Sequence, residues 1–272
     1  MGNSKKPTHT KDAADVSSGK PLPEVKAPDH VPRRSDVPQP AAAHASSADV
    51  AEFLAKMKSM ARATGRSRGR LVFAMDATMS RQPTWDMALA LQADMFAAVK
   101  TIGGLDVQLV FFRGAGECRS SKWVSDPSAL ARLMTTVSCR GGYTQIGKVL
   151  THTRKECENK KVDALVYVGD CMEEDVDALC HRAGELALLG VPVFLFQEGH
   201  DGRAEVAFRE IARLTHGAWC RFDAGSADQL RALLTAVAAY AAGGRSALEK
   251  LSHASGGKGV RLLLDQLKPG GR

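Results

Sequence analysis

Oxygen-bearing side chains follow two apolar runs of the sequence, at the points where buried strands are expected to end. Asp76, Thr78 and Ser80 come directly after the run Leu-Val-Phe-Ala-Met, and Asp170 comes directly after Ala-Leu-Val-Tyr-Val-Gly. In a parallel α/β sheet, ligands bind where the strands end at their carboxyl edge. We therefore expect these four side chains to lie close together at one edge of a sheet.

A fifth oxygen donor is expected from Thr144, which follows Gly-Gly-Tyr and stands at the start of a helical pattern. Five oxygen ligands that include only two carboxylates suit one hard divalent cation, with Mg²⁺ or Mn²⁺ as the leading candidates. The predicted metal ligands are therefore Asp76, Thr78, Ser80, Thr144 and Asp170. An alternative role remains for Thr78 and Ser80, whose hydroxyls could instead cap the helix that follows.

Four more carboxylates follow Asp170, namely Glu173, Glu174, Asp175 and Asp177. Acidic side chains are favoured in the first turn of a helix because the helix dipole is positive there. We interpret the four as N-terminal residues of the next helix rather than as metal ligands. Their charge could alternatively concentrate cations near the site or repel an acidic partner.

The elements that must position these residues alternate between strand and helix, which is typical of a doubly wound α/β sheet with helices on both faces. Strands are predicted near residues 70–76, 105–113, 117–124, 162–169, 191–197 and 218–222. Helices are predicted near 49–61, 83–102, 126–136, 143–157, 174–189, 202–215 and 227–242. The turn Gly-Ala-Gly after the second strand indicates a hairpin, so the mostly parallel sheet should carry one antiparallel edge strand.

The flanks of this pattern differ from it in composition. Residues 1–47 hold seven of the eleven prolines, together with many Ser, Lys and Ala, and we predict a disordered tail. Residues 48–68 are predicted to form an N-terminal helix and a basic linker. The α/β domain is expected over 69–243, and 244–272 should form a C-terminal amphipathic helical extension.

The predicted N-terminal helix carries an apolar stripe. Val50, Phe53, Leu54 and Met57 are spaced i, i+3, i+4 and i+7, so that they share one helix face. Packing on the main domain is the favoured role of this stripe, and contact with a partner protein is the alternative.

Charge and cysteine content limit the classes of function. The net charge of +7 indicates acidic partners only weakly. No apolar run reaches the ~18 residues of a membrane span, and no secretory leader opens the chain. The six cysteines are scattered singly, without metal-binding spacing, so a zinc site is not expected. We expect a cytoplasmic protein with reduced thiols.

On these motifs the chain resembles the von Willebrand factor A family over roughly residues 69–243. The metal-ion-dependent adhesion site of that family uses an Asp-x-Ser-x-Ser loop, a distant Thr and a distant Asp, which Asp76, Thr78, Ser80, Thr144 and Asp170 match in order. The apolar helix beginning near Trp85 is also similar. The resemblance implies an open sheet wrapped by helices, and a metal, usually Mg²⁺, whose coordination is completed by an acidic residue of a partner.

Three residues depart from the pattern of that family. Thr78 replaces the first Ser, which keeps the oxygen and adds a methyl group. Met79 stands where Gly is frequent in the family, and Cys171 stands where many members also have Gly. These two positions bear on the geometry of the loops that would hold the metal.

The function expected from these features is non-enzymatic. The chain would be an adaptor that docks a protein partner through the partner's carboxylate and a bound cation, within an intracellular assembly. One alternative is a Mg²⁺-dependent hydrolase or phosphatase with Asp76 as nucleophile, although Thr78 stands where a second Asp would serve as general acid. Another is salt-sensitive nucleic-acid binding through the basic segment 62–70; it is disfavoured because no aromatic residues are interleaved there.

Overall fold

The central sheet has six strands. The computed structural model describes residues 47–59, 68–100, 103–223 and 225–254. The strands are β1 (Gly69–Asp76), β2 (Leu105–Arg113), β3 (Glu117–Ser120), β4 (Ala164–Gly169), β5 (Val193–Glu198) and β6 (Ala218–Phe222). Their order is β3-β2-β1-β4-β5-β6, and every neighbouring pair is parallel except β2 and β3. The doubly wound sheet with one antiparallel edge strand is therefore confirmed.

Helices cover both faces of this sheet. They are α1 (Ser47–Ser59), α2 (Gln82–Val99), α3 (Pro127–Thr135), α4 (Ile146–Asn159), α5 (Val176–Leu188), α6 (Gly202–Leu214) and α7 (Ala227–Ala254). Along β1, Leu71 and Phe73 belong to the apolar core shared with α1, α2, α3 and α7. Val72 and Ala74 belong to a second core shared with α4, α5 and α6. Successive residues of β1 face the two cores in turn because side chains in a strand point alternately to its two faces.

Strands β1 and β4 form the centre of the sheet, where the order of the strands reverses. Met75 of β1 pairs in register with Val168 of β4, so the residues that follow each strand emerge side by side. The chain leaves β1 toward β2 on one side and leaves β4 toward β5 on the other. This topological switch point is where open α/β sheets bind ligands, and it is where Asp76 and Asp170 lie.

Helix α1 packs on the main domain, as its apolar stripe predicts. Val50 and Phe53 are buried, and the Phe53 ring makes edge-on contacts with Phe194 and Phe196 of β5, at centroid distances of 6.0 and 5.4 Å. The side chain of Met57 lies outside the described residues. The helix therefore covers part of one sheet face before the first strand begins.

The last helix continues beyond its predicted end. Gly244 interrupts α7 with φ 66° and ψ −156°, a backbone conformation open to glycine, and a second helical segment runs on to Ala254. Residues 255–272 of the predicted extension lie outside the described residues, as do 1–46 and 60–67. In the part of the chain that the structure describes, no helix combines the length and apolarity needed to cross a membrane.

We expect Phe53→Ala to lower the free energy of unfolding by about 3–5 kcal/mol, because a fully buried aromatic ring would be lost between two others. Urea denaturation measures this change. Glu52→Ala, on the exposed face of the same helix, is the matched control and should change stability by no more than about 0.5 kcal/mol. A loss below about 1 kcal/mol for Phe53→Ala would show that α1 is dispensable to the domain.

Candidate metal centre

The loop after β1 is folded around the carboxylate of Asp76, which is 1% exposed. The backbone N–H of Thr78 donates to Asp76 Oδ1 at 2.7 Å, and the hydroxyl oxygens of Thr78 and Ser80 are 3.5 Å apart. Thr78 precedes a short 3-10 helix over Met79–Arg81 and makes no capping hydrogen bond with its side chain. Its hydroxyl thus has no capping role here, and it lies beside that of Ser80.

The loop that carries Thr144 is fixed by the end of β2. Gly142 bridges to Gly114, and a Cβ atom at position 142 would lie 2.2 Å from the Gly114 nitrogen. The backbone N–H of Tyr143 donates to the Gly114 carbonyl at 3.1 Å. Residues 143–145 therefore form a loop, and α4 begins at Ile146 rather than at the predicted position near 143.

Two of the four acidic residues after β4 have a different role from the one predicted. Both the backbone N–H and the hydroxyl of Thr144 donate to Glu173 Oε2, at 3.1 and 2.6 Å. Glu174 accepts from the backbone N–H groups of Ile146 and Gly147 at the N-terminus of α4. The interpretation of these two residues as the first turn of their own helix is therefore wrong.

The other two acidic residues follow the prediction. Asp175 is the N-cap of α5 and accepts from the Ala178 N–H at 2.8 Å, while Asp177 lies in the first turn of that helix. Glu173 and Glu174 thus join the loop after β4 to the loop before α4, and α5 begins only after them.

A partly buried arginine that the sequence reasoning missed connects three elements of the site. Arg81 Nη2 lies 3.0 Å from Asp170 Oδ2, and Nη1 lies 2.5 Å from Glu198 Oε2 at the end of β5. Arg81 Nε donates to the Ser80 hydroxyl oxygen at 3.3 Å. The Arg81 side chain is only 12% exposed, so these ion pairs are screened less than surface pairs.

One sequence signal could have located Glu198. It ends an apolar strand, just as Asp76 does, and β5 is the neighbour of β4. Its partners are Arg81 and the hydroxyl of Thr84, which donates to Glu198 Oε2. For Arg81, the only signal in the sequence is its position next to Ser80, a predicted metal ligand.

Two carboxylate oxygens at this edge have no hydrogen-bond partner among the described residues. They are Asp76 Oδ2 and Asp170 Oδ1, and both are buried. Desolvation by burial raises the pKa of Asp76 to about 6, and the nearby charge of Asp170 adds to this, while hydrogen bonds from Thr78 and the charge of Arg81 act against it. Burial without a partner is costly for a carboxylate, and a cation would relieve that cost.

The donor set fits a hard divalent cation. Asp76, Thr78, Ser80 and Asp170 are brought together through one another and through Arg81. Thr144 is instead tied to the loop after β4 by Glu173. In the described ranges, no three His, Cys, Asp or Glu side chains gather in a way that could hold a metal ion, so such a centre would depend on hydroxyl oxygens.

Cys171, which follows Asp170, remains a thiol rather than a thiolate. Burial and the adjacent carboxylate of Asp170 raise the pKa of Cys171 well above its ordinary value. A protonated thiol is a poor metal ligand. In the metal-free site Cys171 is therefore a neutral neighbour of Asp170.

Two arginines of the basic segment 62–70 are used inside the fold. Arg68 pairs with Asp106 at 2.7 Å, and Arg70 is buried with its guanidinium 3.9 Å from the centre of the Trp123 ring. Arg70 is therefore not available as a phosphate contact, and Arg68 already has a carboxylate partner. Residues 62–67 of this segment lie outside the described residues.

Comparison with solved structures finds proteins of similar fold. The pilus adhesin SpaC from Lactobacillus rhamnosus GG, in an open conformation, aligns over 68% of this chain and 30% of its own, with a TM-score of 0.51 and 11% identity. The SpRpn10 VWA domain aligns over 62% of this chain and 94% of its own (TM-score 0.49, 13% identity). Proximal thread matrix protein 1 from the mussel byssus, with a zinc-occupied MIDAS motif, aligns over 64% and 45% (TM-score 0.49, 17% identity).

Searches by sequence give a different result. No protein-family model matches this chain, and no curated protein does. Because the sequence identities to these solved structures are low, the similarity is one of fold alone.

We expect Asp76→Asn to stabilise the folded chain at neutral pH in the absence of divalent cations. The folded-state pKa of about 6 exceeds the ordinary value of 3.8. The destabilising contribution of the charged carboxylate is therefore fully present above pH 6 and absent below pH 3.8. The free energy of unfolding falls as the pH rises through this window. The variant should gain about 1–3 kcal/mol above pH 7, measured by urea unfolding across this pH range.

Asp86→Asn is the matched control, because Asp86 is exposed on α2 and its one hydrogen bond among the described residues comes from Gln82 Nε2 at 2.8 Å. It should change stability by no more than about 0.5 kcal/mol at any pH. An Asp76→Asn variant that is less stable than wild type at neutral pH would contradict the unpartnered state of Asp76.

Proposed function

We propose that this chain, whose fold is of the von Willebrand factor A type, is a protein-binding adaptor that docks an acidic residue of its partner through a divalent cation. The observation that carries the proposal is the pair of buried, unpartnered carboxylate oxygens, Asp76 Oδ2 and Asp170 Oδ1, at neighbouring strand ends. The setting we propose is an assembly inside the cell.

The charge balance of the site supports capture of a further carboxylate. Asp76 and Asp170 would supply two negative charges, and Thr78 and Ser80 would supply neutral oxygens. Thr144 is the fifth proposed donor, with its hydroxyl oriented by Glu173. Mg²⁺ or Mn²⁺ held by such a shell supplies an electrophilic centre that can accept one carboxylate oxygen from outside.

Arg81 would set the affinity of the site for the cation. Its guanidinium already neutralises Asp170 at 3.0 Å and lies against Glu198. A divalent ion bound to Asp170 would be repelled by this positive charge and would compete with it for the same carboxylate. Arg81 therefore lowers the affinity for the metal while it stabilises the metal-free site.

Two exposed apolar side chains lie on the loops of the proposed centre. Met79 lies on the loop of Thr78 and Ser80 and is 65% exposed, and Tyr143 lies next to Thr144 and is 66% exposed. Contiguous exposed apolar patches mark sites of protein contact, and we propose that these two side chains contribute to one. The departure from the family pattern at Met79 thus supplies a contact surface for a partner.

We expect saturable binding of Mg²⁺ or Mn²⁺ in calorimetric titrations of the full chain and no detectable binding by Asp76→Asn. Arg81→Gln should bind the metal about tenfold more tightly, or ~1.4 kcal/mol, because the competing cation is removed. Arg203→Gln removes the same charge from an exposed position on α6 and should leave the affinity unchanged.

Three results would contradict this account. Metal binding that survives Asp76→Asn would place the cation elsewhere, and Arg81→Gln binding no more tightly than wild type would remove the proposed competition. Metal-dependent turnover of a generic phosphate ester, lost in Asp76→Asn, would favour the hydrolase alternative over the adaptor.

Selection from a random peptide library in Mg²⁺, with elution by EDTA, tests the binding face without a known partner. We expect the selected peptides to share an Asp or Glu whose amide variant no longer binds. Met79→Ser with Tyr143→Ser should weaken peptide binding about tenfold, because apolar contact is lost, and should leave the affinity for the metal unchanged. Peptides that bind equally well in EDTA would overturn the role of the cation.

A further inference from the structure

A cleft with a strong positive charge lies between the antiparallel sheet edge and helices α4 and α5. Its volume is about 440 Å³, and we call it the basic cleft. Four cationic side chains line it, together with His152 and a single carboxylate, Glu174. The cationic side chains are Arg119, Lys148, Lys155 and Arg182.

The sequence places these charges together through helical spacing. Lys148, His152 and Lys155 are separated by four and three residues, so they lie on one face of α4. Arg119 comes from the edge strand β3, and Arg182 comes from α5, which packs against α4. Three elements thus direct cations into one cavity.

Several of these cations have unused hydrogen-bond donors. Within the described ranges, Lys155 and Arg182 form no ion pair within 4 Å, whereas ten other arginines, among them Arg209 and Arg213, are paired with carboxylates. Arg119 uses Nε to reach Glu117 at 2.7 Å, which leaves its terminal nitrogens. Lys148 donates to two oxygens, so one of its three N–H groups remains.

Glu174 is the one carboxylate among the residues that line the basic cleft, and its negative charge interacts with Arg182. Both oxygens of Glu174 already accept from backbone N–H groups of α4, Oε1 from Ile146 and Oε2 from Gly147. Burial lowers the pKa of His152, and its Nε2 lies 2.9 Å from Gln108 Oε1. The cleft therefore keeps an excess of positive charge. Its cationic side chains repel one another, and a bound anion would relieve that repulsion.

We propose that the basic cleft binds a small soluble compound that carries phosphate groups. Its volume lies in the range of small-molecule sites, about 300–1,000 Å³. Two arginines suit phosphate because the guanidinium can donate two parallel hydrogen bonds to it. No Phe, Tyr or Trp is among the residues that line the cleft, so its affinity would come mainly from the phosphates rather than from stacking of a base.

This site is separate from the proposed metal centre. The metal centre gathers carboxylates and hydroxyls at the carboxyl edge of β1 and β4, whereas the basic cleft gathers cations, which repel a divalent ion. Binding of phosphate can therefore be measured in EDTA, where the metal centre is empty. Failure of one proposal leaves the other standing.

The test is calorimetric titration of the full chain with inorganic pyrophosphate in EDTA. We expect one saturable site in the wild type, and binding at least about tenfold weaker in the double variant Lys155→Gln with Arg182→Gln. Lys160→Gln with Arg203→Gln removes the same charge from exposed positions that do not line the cleft. This control should bind pyrophosphate within about twofold of wild type.

Amide chemical shifts provide a second readout on the unaltered chain. Pyrophosphate should shift the amides of Gly147 and Thr151, which line the cleft, more than those of residues on α2. Equal losses in the two double variants, or no saturable binding, would overturn the proposal. Binding only to vesicles that contain phosphatidic acid, or only to RNA, would also overturn it, because the occupant would then be a membrane surface or a nucleic acid.

Discussion

Two carboxylates emerge side by side at the switch point of the sheet, and the single guanidinium of Arg81 is paired with only one of them. Asp170 is held by Arg81, while Asp76 is buried with one oxygen bound to a backbone N–H and the other left without a partner among the described residues. Because a buried charge is costly unless it is compensated, the uncompensated carboxylate of Asp76 limits which groups can lie beside it. A further carboxylate beside Asp76 would add to this cost, whereas the neutral hydroxyls of Thr78 and Ser80 do not.

The loops around this edge are held by long-range contacts rather than by their own sequence. Gly142 approaches Gly114 so closely that no side chain fits between them, and Glu173 accepts two hydrogen bonds from Thr144. The loops after β2 and β4 are thereby joined to the loop before α4 by contacts within the chain. A site ordered in advance loses less conformational freedom on binding, which favours affinity.

The alternation of strands and helices could be predicted because apolar runs and turn residues are local signals. The rule that ligands bind at the carboxyl edge of a parallel sheet likewise predicted that Asp76 and Asp170 lie at neighbouring strand ends, as they do. The predictions that were wrong depended on partners distant in sequence. Helix α4 begins later than predicted because the Tyr143 N–H is bonded to the Gly114 carbonyl. Glu173 and Glu174 accept hydrogen bonds at the start of α4 rather than in the helix that they precede. The ion pairs of Arg81 could be inferred only once β4 and β5 were known to be neighbours.

Glu173 and Glu174 are consecutive residues that face different sites. The first holds Thr144 beside the metal centre, and the second caps α4 and lines the basic cleft. An anion that displaced Glu174 from α4 would also act on Glu173 through a single peptide bond, and so on Thr144. Cation and anion occupancy would then be thermodynamically linked, and the factor by which either changes the affinity of the other must be the same in both directions.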